Sequence, residues 1–187
     1  MCIRDRPFLY EMVGRQRQVA KRRGITMNVN VLRSESTGSV HVKSADPAEP
    51  PAIRFNFLSA RADREGLLAA IRKGRELMAT SPLKEMTGEE IAPGAHLKTD
   101  DEIIEWVRNN AETTYHPVGT CKMGGDPMAV VDNELRVHGI QGLRVADASI
   151  MPTLTSGNTN APCIMIGEKC SEMVLAAAAS GERKAAA

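Results

Sequence analysis

From Thr113 onward the chain loses both helical and strand periodicity. Gly119, Gly124, Gly125, Pro127, Gly139, Gly142, Pro152 and Gly157 punctuate the stretch, with only short extended pieces such as Leu143-Arg-Val-Ala146. A glycine-dense run of this length is either disordered or built around something. Its apolar residues Val130, Val131, Leu135, Val137, Ile140, Leu143 and Val145 argue against disorder, because disordered segments are poor in such side chains. Loops held over a rigid core and wrapped round a ligand are where function concentrates.

Regular elements are legible on either side. Pro7 to Arg23 reads as a helix, with Pro at its start, Phe8, Met12 and Val19 apolar, and Gly24 as terminator. Ile25, Met27, Val29 and Val31 alternate with polar residues, the period of a half-buried strand. Turn residues 34–38 lead to a second strand at Val40 and Val42, and a stiff loop (Asp46-Pro47, Glu49-Pro50-Pro51) leads to a third at Ile53, Phe55 and Phe57. Asp63 is placed to cap a helix to about Ala79, with Leu67, Leu68, Ile71 and Leu77 on its apolar side. Residues 81–97 are irregular. Asp100-Asp101 opens another helix through Trp106 to about Asn110, its acids at the positive pole. A last helix begins near Asn160-Ala161-Pro162 and runs towards Ala179, with Asn160 as its N-cap. The expected fold class is α+β: an antiparallel sheet from Ile25 to Phe57 flanked by helices, not a doubly wound parallel sheet.

Composition removes several functions. With 24 basic and 23 acidic residues the net charge is +1, and only 3% of residues are aromatic. Neither a whole-chain field nor a set of stacking platforms for nucleic acid is present. The basic run Arg15 to Arg23 is better read as a solvated helix end than as a phosphate-binding patch. Cys2, Cys121, Cys163 and Cys170 form no C-x-x-C pair and have no adjacent histidine cluster, so reduced thiols are expected rather than a metal site. The first six residues lack the apolar core of a secretory signal, and Met173 to Ala179 is too short to span a bilayer. A soluble, cytoplasmic protein is expected. Residues 1–6 read as a non-native leader, with the true reading frame beginning upstream.

Of four histidines, His41, His96 and His138 read as surface or satisfied structural groups. His116 stands apart in Tyr115-His-Pro-Val-Gly-Thr-Cys-Lys-Met-Gly124, between a helix and a glycine-rich turn. A histidine held rigidly at a loop apex suits general acid–base work, because the imidazole group titrates near neutrality. A second segment, Leu143 to Pro162, presents Asp147 at the end of an apolar strand and Asn158 in a tight loop after Gly157. It runs into a helix amino terminus, which attracts electron-rich or anionic groups.

These motifs, with Val131-Asp132, Leu135-Arg-Val-His-Gly-Ile140, Asp147-Ala-Ser-Ile-Met-Pro152 and Ser156-Gly-Asn-Thr-Asn-Ala-Pro162, resemble the carboxy-terminal region of glucose–methanol–choline (GMC) oxidoreductases, in the choline dehydrogenase-like and alcohol dehydrogenase branch. The resemblance is strong from Thr113 to about Leu175 and weaker from Gly24 to Met78, where the segments look like substrate-domain strands. It implies FAD as cofactor and a small-molecule primary alcohol as substrate. His116 matches the histidine that accepts the hydroxyl proton as hydride leaves for flavin N5. Asn158 matches its partner, which hydrogen-bonds the alkoxide-like oxygen without competing for the proton. Asp147 and Ala148 fall where the family contacts the FAD chain. Thr159, Asn160 and Pro162 fall where the last helix points at the flavin pyrimidine.

The resemblance divides the chain into a partial substrate-binding domain over 7–112, a catalytic and flavin-contacting segment over 113–180 that packs on an FAD domain, and a frayed tail over 181–187. No strand followed by G-x-G-x-x-G is present, so the dinucleotide-binding half of such an enzyme is missing as a partner. The isolated chain is therefore expected to be an inactive carboxy-terminal fragment. The alternative is a non-catalytic module or relic that needs a partner chain supplying the FAD fold. Choline against an aliphatic alcohol stays open, although the few aromatic residues form no visible cage for a quaternary ammonium. The electron acceptor, oxygen or a quinone-type carrier, stays open too.

Overall fold

The computed structural model describes residues 2–6, 10–13, 16–21 and 23–181. Its elements are β1 (Cys2–Arg6), β2 (Tyr10–Val13), β3 (Gln16–Val19), β4 (Thr26–Asn30), β5 (Ser39–His41), β6 (Ala52–Arg54), α1 (Arg61–Met78), α2 (Leu83–Met86), α3 (Asp100–Asn110), a 3-10 turn (Ala148–Ile150) and α4 (Asn160–Ser180). The fold is α+β with antiparallel pairing throughout its named strands. It divides into two compact units: residues 1–37 with 56–114, and residues 38–55 with 115–187.

Two expectations about the strands need correction. The helix read over Pro7 to Arg23 is absent from the described residues, where β2 and β3 pair antiparallel instead. The helical signal rested on three apolar positions, and Gly14, between the paired segments in sequence, costs a helix interior about 1 kcal/mol. Nor do the strands after Ile25 form one sheet. β4 pairs with β1, Met27 opposite Asp5, while β5 pairs only with β6, Val40 opposite Ile53. Alternation reports which face a strand buries and is silent on its neighbour. The residue 182–187 part of the expected frayed tail lies outside the described residues.

In the first unit α1 lies against β4. Glycine permits the approach: a Cβ at Gly66 would stand 3.3 Å from a methyl of Val31, and one at Gly74 would stand 3.2 Å from the Met27 sulfur. The core of this unit is Leu68, Ile103 and Val107, covered by Leu58, Leu67, Ile71, Leu97, Ile104 and Trp106. Helical spacing puts Ile103 and Val107 one turn apart on the inner face of α3. Thr99 begins that helix with a full capping box, its hydroxyl accepting from the Glu102 N–H while the Glu102 carboxylate accepts from the Thr99 N–H.

Asp63 does not cap α1, contrary to the sequence reading. The N-cap is Ala60, without a side-chain bond, and Asp63 is buried in the first turn. Its carboxylate accepts from Ser34 Oγ at 2.6 Å and from the N–H groups of Glu35 and Ser36, each at 2.9 Å. Ser36 Oγ in turn accepts from the Ala60 N–H at 3.0 Å, satisfying an orphan donor at the helix start. The acid thus holds a turn some thirty residues upstream, where N–H groups lack strand partners.

The second unit contains the β5–β6 hairpin and the irregular stretch. Gly38 is required there by close approach, since a Cβ would stand 1.9 Å from the Arg54 carbonyl oxygen. Gly38→Ala should push β5 off β6 and cost about 1–3 kcal/mol, the scale of overpacking. Amide exchange at Val40 and Ile53 that stays as slow as in the parent would contradict this.

The aperiodic residues 115–151 fold on Val131, Leu135, Ile150, Met151 and Ile166. Single bridges between Met123 and Val131, Val131 and Val137, and Arg136 and Arg144 replace regular strands. Asp132 locks the turn between them: its carboxylate accepts from the N–H groups of Glu134 and Arg136 and from the Arg136 guanidinium. Among the described residues no helix is long and apolar enough to cross a membrane.

Candidate active site

His116 sits at the start of the irregular stretch, half-buried, after Tyr115 in the left-handed region (φ 61°) and before Pro117. The backbone then turns at Gly119 (φ 86°), where a Cβ would meet the Met151 carbonyl oxygen at 3.4 Å. Beyond the turn the chain pairs with the 3-10 segment. Cys121 N–H donates to the Ser149 carbonyl at 3.0 Å and Met123 N–H to the Ile150 carbonyl at 2.8 Å. Those two bonds fasten the histidine loop to the 3-10 turn that precedes α4.

Asp147 is the N-cap of the 3-10 turn, its Oδ1 accepting from the Ser149 N–H at 2.7 Å. The residue is exposed, whereas Ala148 packs against the core. Asn158 and Asn160 are exposed and Pro162 is half-buried in the first turn of α4. Asn160 is not the N-cap expected from sequence. Thr159 holds that place, Asn160 being the first helical residue, and neither supplies a side-chain cap bond. The first helical hydrogen bond runs from Cys163 N–H to the Thr159 carbonyl at 2.9 Å.

The Thr159 hydroxyl is engaged elsewhere. Thr159 is buried, 7% exposed, and its Oγ1 lies 2.9 Å from His116 Nδ1 across a separation of 43 residues. This contact joins the two motifs singled out in the sequence, because Asn158 precedes Thr159 directly. Sequence reasoning gave Thr159 only a cofactor-contacting part. No local signal could have paired it with His116, since neither periodicity nor spacing links residues so far apart.

The other histidines lie elsewhere. His138 Nε2 is 3.0 Å from the carbonyl oxygen of Gly124, across a separation of 14 residues. His41 is exposed on β5, and His96 is exposed in a loop beside Gly94.

One side of the core opens as a cleft of about 170 Å³ between α4 and the irregular segment, lined by Met123, Leu135, Ile150, Met165, Ile166 and Met173, with Asn133 and Lys169 among them. α4 itself presents Ile164, Met165, Val174 and Leu175 largely to solvent.

A family model described as GMC oxidoreductase matches residues 34–167. An oxygen-dependent choline dehydrogenase of Escherichia coli O127:H6 is 52% identical over 154 residues, which is 82% of this chain and 28% of that protein. Among solved structures, a formate oxidase superposes with a TM-score of 0.77 at 32% identity, covering 84% of this chain and 28% of its own. Pyridoxine 4-oxidase from Mesorbium loti gives a TM-score of 0.72 at 30% identity, over 79% of this chain and 28% of its own. An FAD-dependent oxidoreductase from Chaetomium thermophilum gives 0.69 at 32% identity, over 73% and 24%. The chain thus spans about 28% of the length of the curated relatives it matches. The matched range holds both the His116 loop and the turn into α4 that meets it, and by that match the chain belongs to the GMC oxidoreductase family.

Proposed function

We propose that this chain is the carboxy-terminal, catalytic portion of an FAD-dependent oxidoreductase that acts on the CH–OH group of primary alcohols. The observation that carries the reading is the His116–Thr159 contact, which brings a half-buried histidine to the amino terminus of α4 beside Asn158. The choline dehydrogenase, the formate oxidase and the pyridoxine 4-oxidase are each named for a small polar molecule, and the name of the FAD-dependent oxidoreductase supports the cofactor.

The residues fit the electron-rich edge of a flavin. The N–H groups of Asn160 and Ala161 have no intrahelical partner by position, and no side chain caps them. A helix amino terminus so presented favours negative charge, as on a reduced flavin. Thr155 Oγ1 nearby in sequence is buried and has no hydrogen-bond partner. Asp147, Ala148, Thr159, Asn160 and Pro162 are the residues that would hold the cofactor. Its adenosine end has no G-x-G-x-x-G in this chain and depends on the amino-terminal part that the relatives carry. The FAD supplies the hydride acceptor.

In this reading His116 takes the hydroxyl proton at Nε2, the nitrogen opposite its Thr159 contact. Asn158 donates from its side-chain amide to the alkoxide-like oxygen, which a neutral amide does without taking the proton. Residues 7–112 would belong to a substrate-binding domain, and 113–180 to the catalytic and flavin-contacting segment. Identity to choline dehydrogenases makes choline the first alcohol to try, and their name makes oxygen the first electron acceptor. A cytoplasmic site of action belongs to the same proposal.

The test is anaerobic reduction of bound flavin in the complete protein, this segment together with the amino-terminal part. Bleaching by a primary alcohol supports the reading. Flavin that binds but is bleached by no alcohol favours a non-catalytic module completing another chain. Asn158→Ala should slow the reduction by about tenfold, the worth of one oriented hydrogen bond. An undiminished rate removes Asn158 from the site.

A further inference from the structure

Imidazole has two neutral tautomers, and only the one protonated at Nδ1 leaves a lone pair on Nε2. Which tautomer a folded histidine adopts is set by the hydrogen bond its other nitrogen makes. For His116 that nitrogen is Nδ1, and the group it meets is the hydroxyl of Thr159 at 2.9 Å. Thr159 is buried and its side chain makes no cap bond to α4, although its position is the N-cap, where threonine usually spends its oxygen on the helix. The hydroxyl is committed to the histidine instead.

A hydroxyl both donates and accepts, so two arrangements satisfy the contact. If Thr159 donated, Nε2 would carry the hydrogen, and the bond would have to reverse whenever the ring became doubly protonated. If Thr159 accepts from Nδ1–H, the same bond serves the neutral ring and the imidazolium, and nothing reorients as the proton arrives. The backbone on either side of His116 is constrained as well, by Tyr115 in the left-handed region and by Pro117.

We infer that Thr159 is a positioning residue whose buried hydroxyl accepts a hydrogen bond from His116 Nδ1–H, fixing the tautomer that leaves Nε2 free to take a proton. The catalytic consequence rests on the function proposed above; the tautomer itself does not. This gives Thr159 a part different from direct contact with the flavin: its side chain acts through the histidine.

The experiment is 15N spectroscopy of the complete protein labelled at histidine, with the His116 ring identified by its loss in His116→Gln. At alkaline pH, where imidazole is neutral, the wild-type ring should show a protonated Nδ1 and an unprotonated Nε2. The opposite pattern overturns the inference without need of any variant at Thr159. Thr159→Val, which keeps the shape and removes the hydroxyl, should move the ring towards the Nε2-protonated form, and Thr159→Ser should keep the wild-type pattern. A valine variant with an unaltered pattern also overturns it.

Turnover separates this claim from the parent reading. Thr159→Val should lower kcat about tenfold with little change in KM, and serine should restore most of it. Altered ring signals with unchanged kcat would leave the tautomer assignment standing while removing His116 as the proton acceptor.

Discussion

His116→Ala in the complete protein should slow oxidation of the alcohol by about 100-fold or more, the usual contribution of a positioned general base. Single-turnover reduction of the flavin is the measurement, because it isolates the step in which the hydroxyl proton leaves. The effect should exceed that of Asn158→Ala, since alanine at 116 removes the proton acceptor whereas alanine at 158 removes one hydrogen bond to the substrate oxygen. His116 is half-buried and lies outside the core of its unit, so the variant should fold and retain flavin. A variant that keeps its flavin and reduces it at the parent rate would remove His116 from the mechanism. The three other histidines offer no substitute: the His138 ring meets the Gly124 carbonyl, and His41 and His96 are exposed away from α4 in sequence.

Asp63→Ala should be the most damaging substitution for stability among the charged residues described, at about 2–3 kcal/mol, the worth of hydrogen bonds to an ionised group. Alanine strands the N–H groups of Glu35 and Ser36 and frees the turn from the start of α1. Burial pushes the Asp63 carboxyl upward, but hydrogen bonds from Ser34 and Ser36 and from the two N–H groups outweigh it and hold its pKa below the ordinary value. A carboxyl depressed by folding stabilises fully above the pKa of the unfolded chain, about 3.9, and loses that contribution as pH falls through the folded value. Asp132 is held down as well, burial opposed by Arg136 and by the N–H groups of its turn. Stability should therefore fall on acidification below about pH 4, and the fall should be shallower in Asp63→Asn. Urea midpoints at neutral and acid pH test both statements. An alanine variant with the parent midpoint at neutral pH would show that the buried carboxylate is dispensable.

Much of the local structure was readable from residue order alone. Asp100-Asp101 at the positive pole open a helix read through Trp106 to about Asn110, and α3 runs from Asp100 to Asn110. The run from Asn160 towards Ala179 becomes α4, and Gly181 closes it in the left-handed conformation. The motifs that carry the family are likewise consecutive residues, so no folding is needed to see them. The failures share one cause. The pairing of β2 with β3 and of β4 with β1, and the use of Asp63 on a turn about thirty residues away, all depend on what a segment meets. Periodicity reports a segment's buried face, and a side chain's type reports what it can bond; neither names the partner.

The candidate site divides in the same way. His116 and Asn158 were visible as residue types in distinctive settings, because proton transfer needs an imidazole and a rigid loop needs glycine and proline. That the His116 ring meets the Thr159 hydroxyl, and that Thr159 forgoes its cap to do so, was decided only by the folding of residues 115–151 onto Val131, Leu135, Ile150 and Ile166. The physical reason is that a hydrogen bond acts over about 3 Å and needs direction, whereas sequence carries only order; burial of that core is what converts 43 residues of separation into one contact.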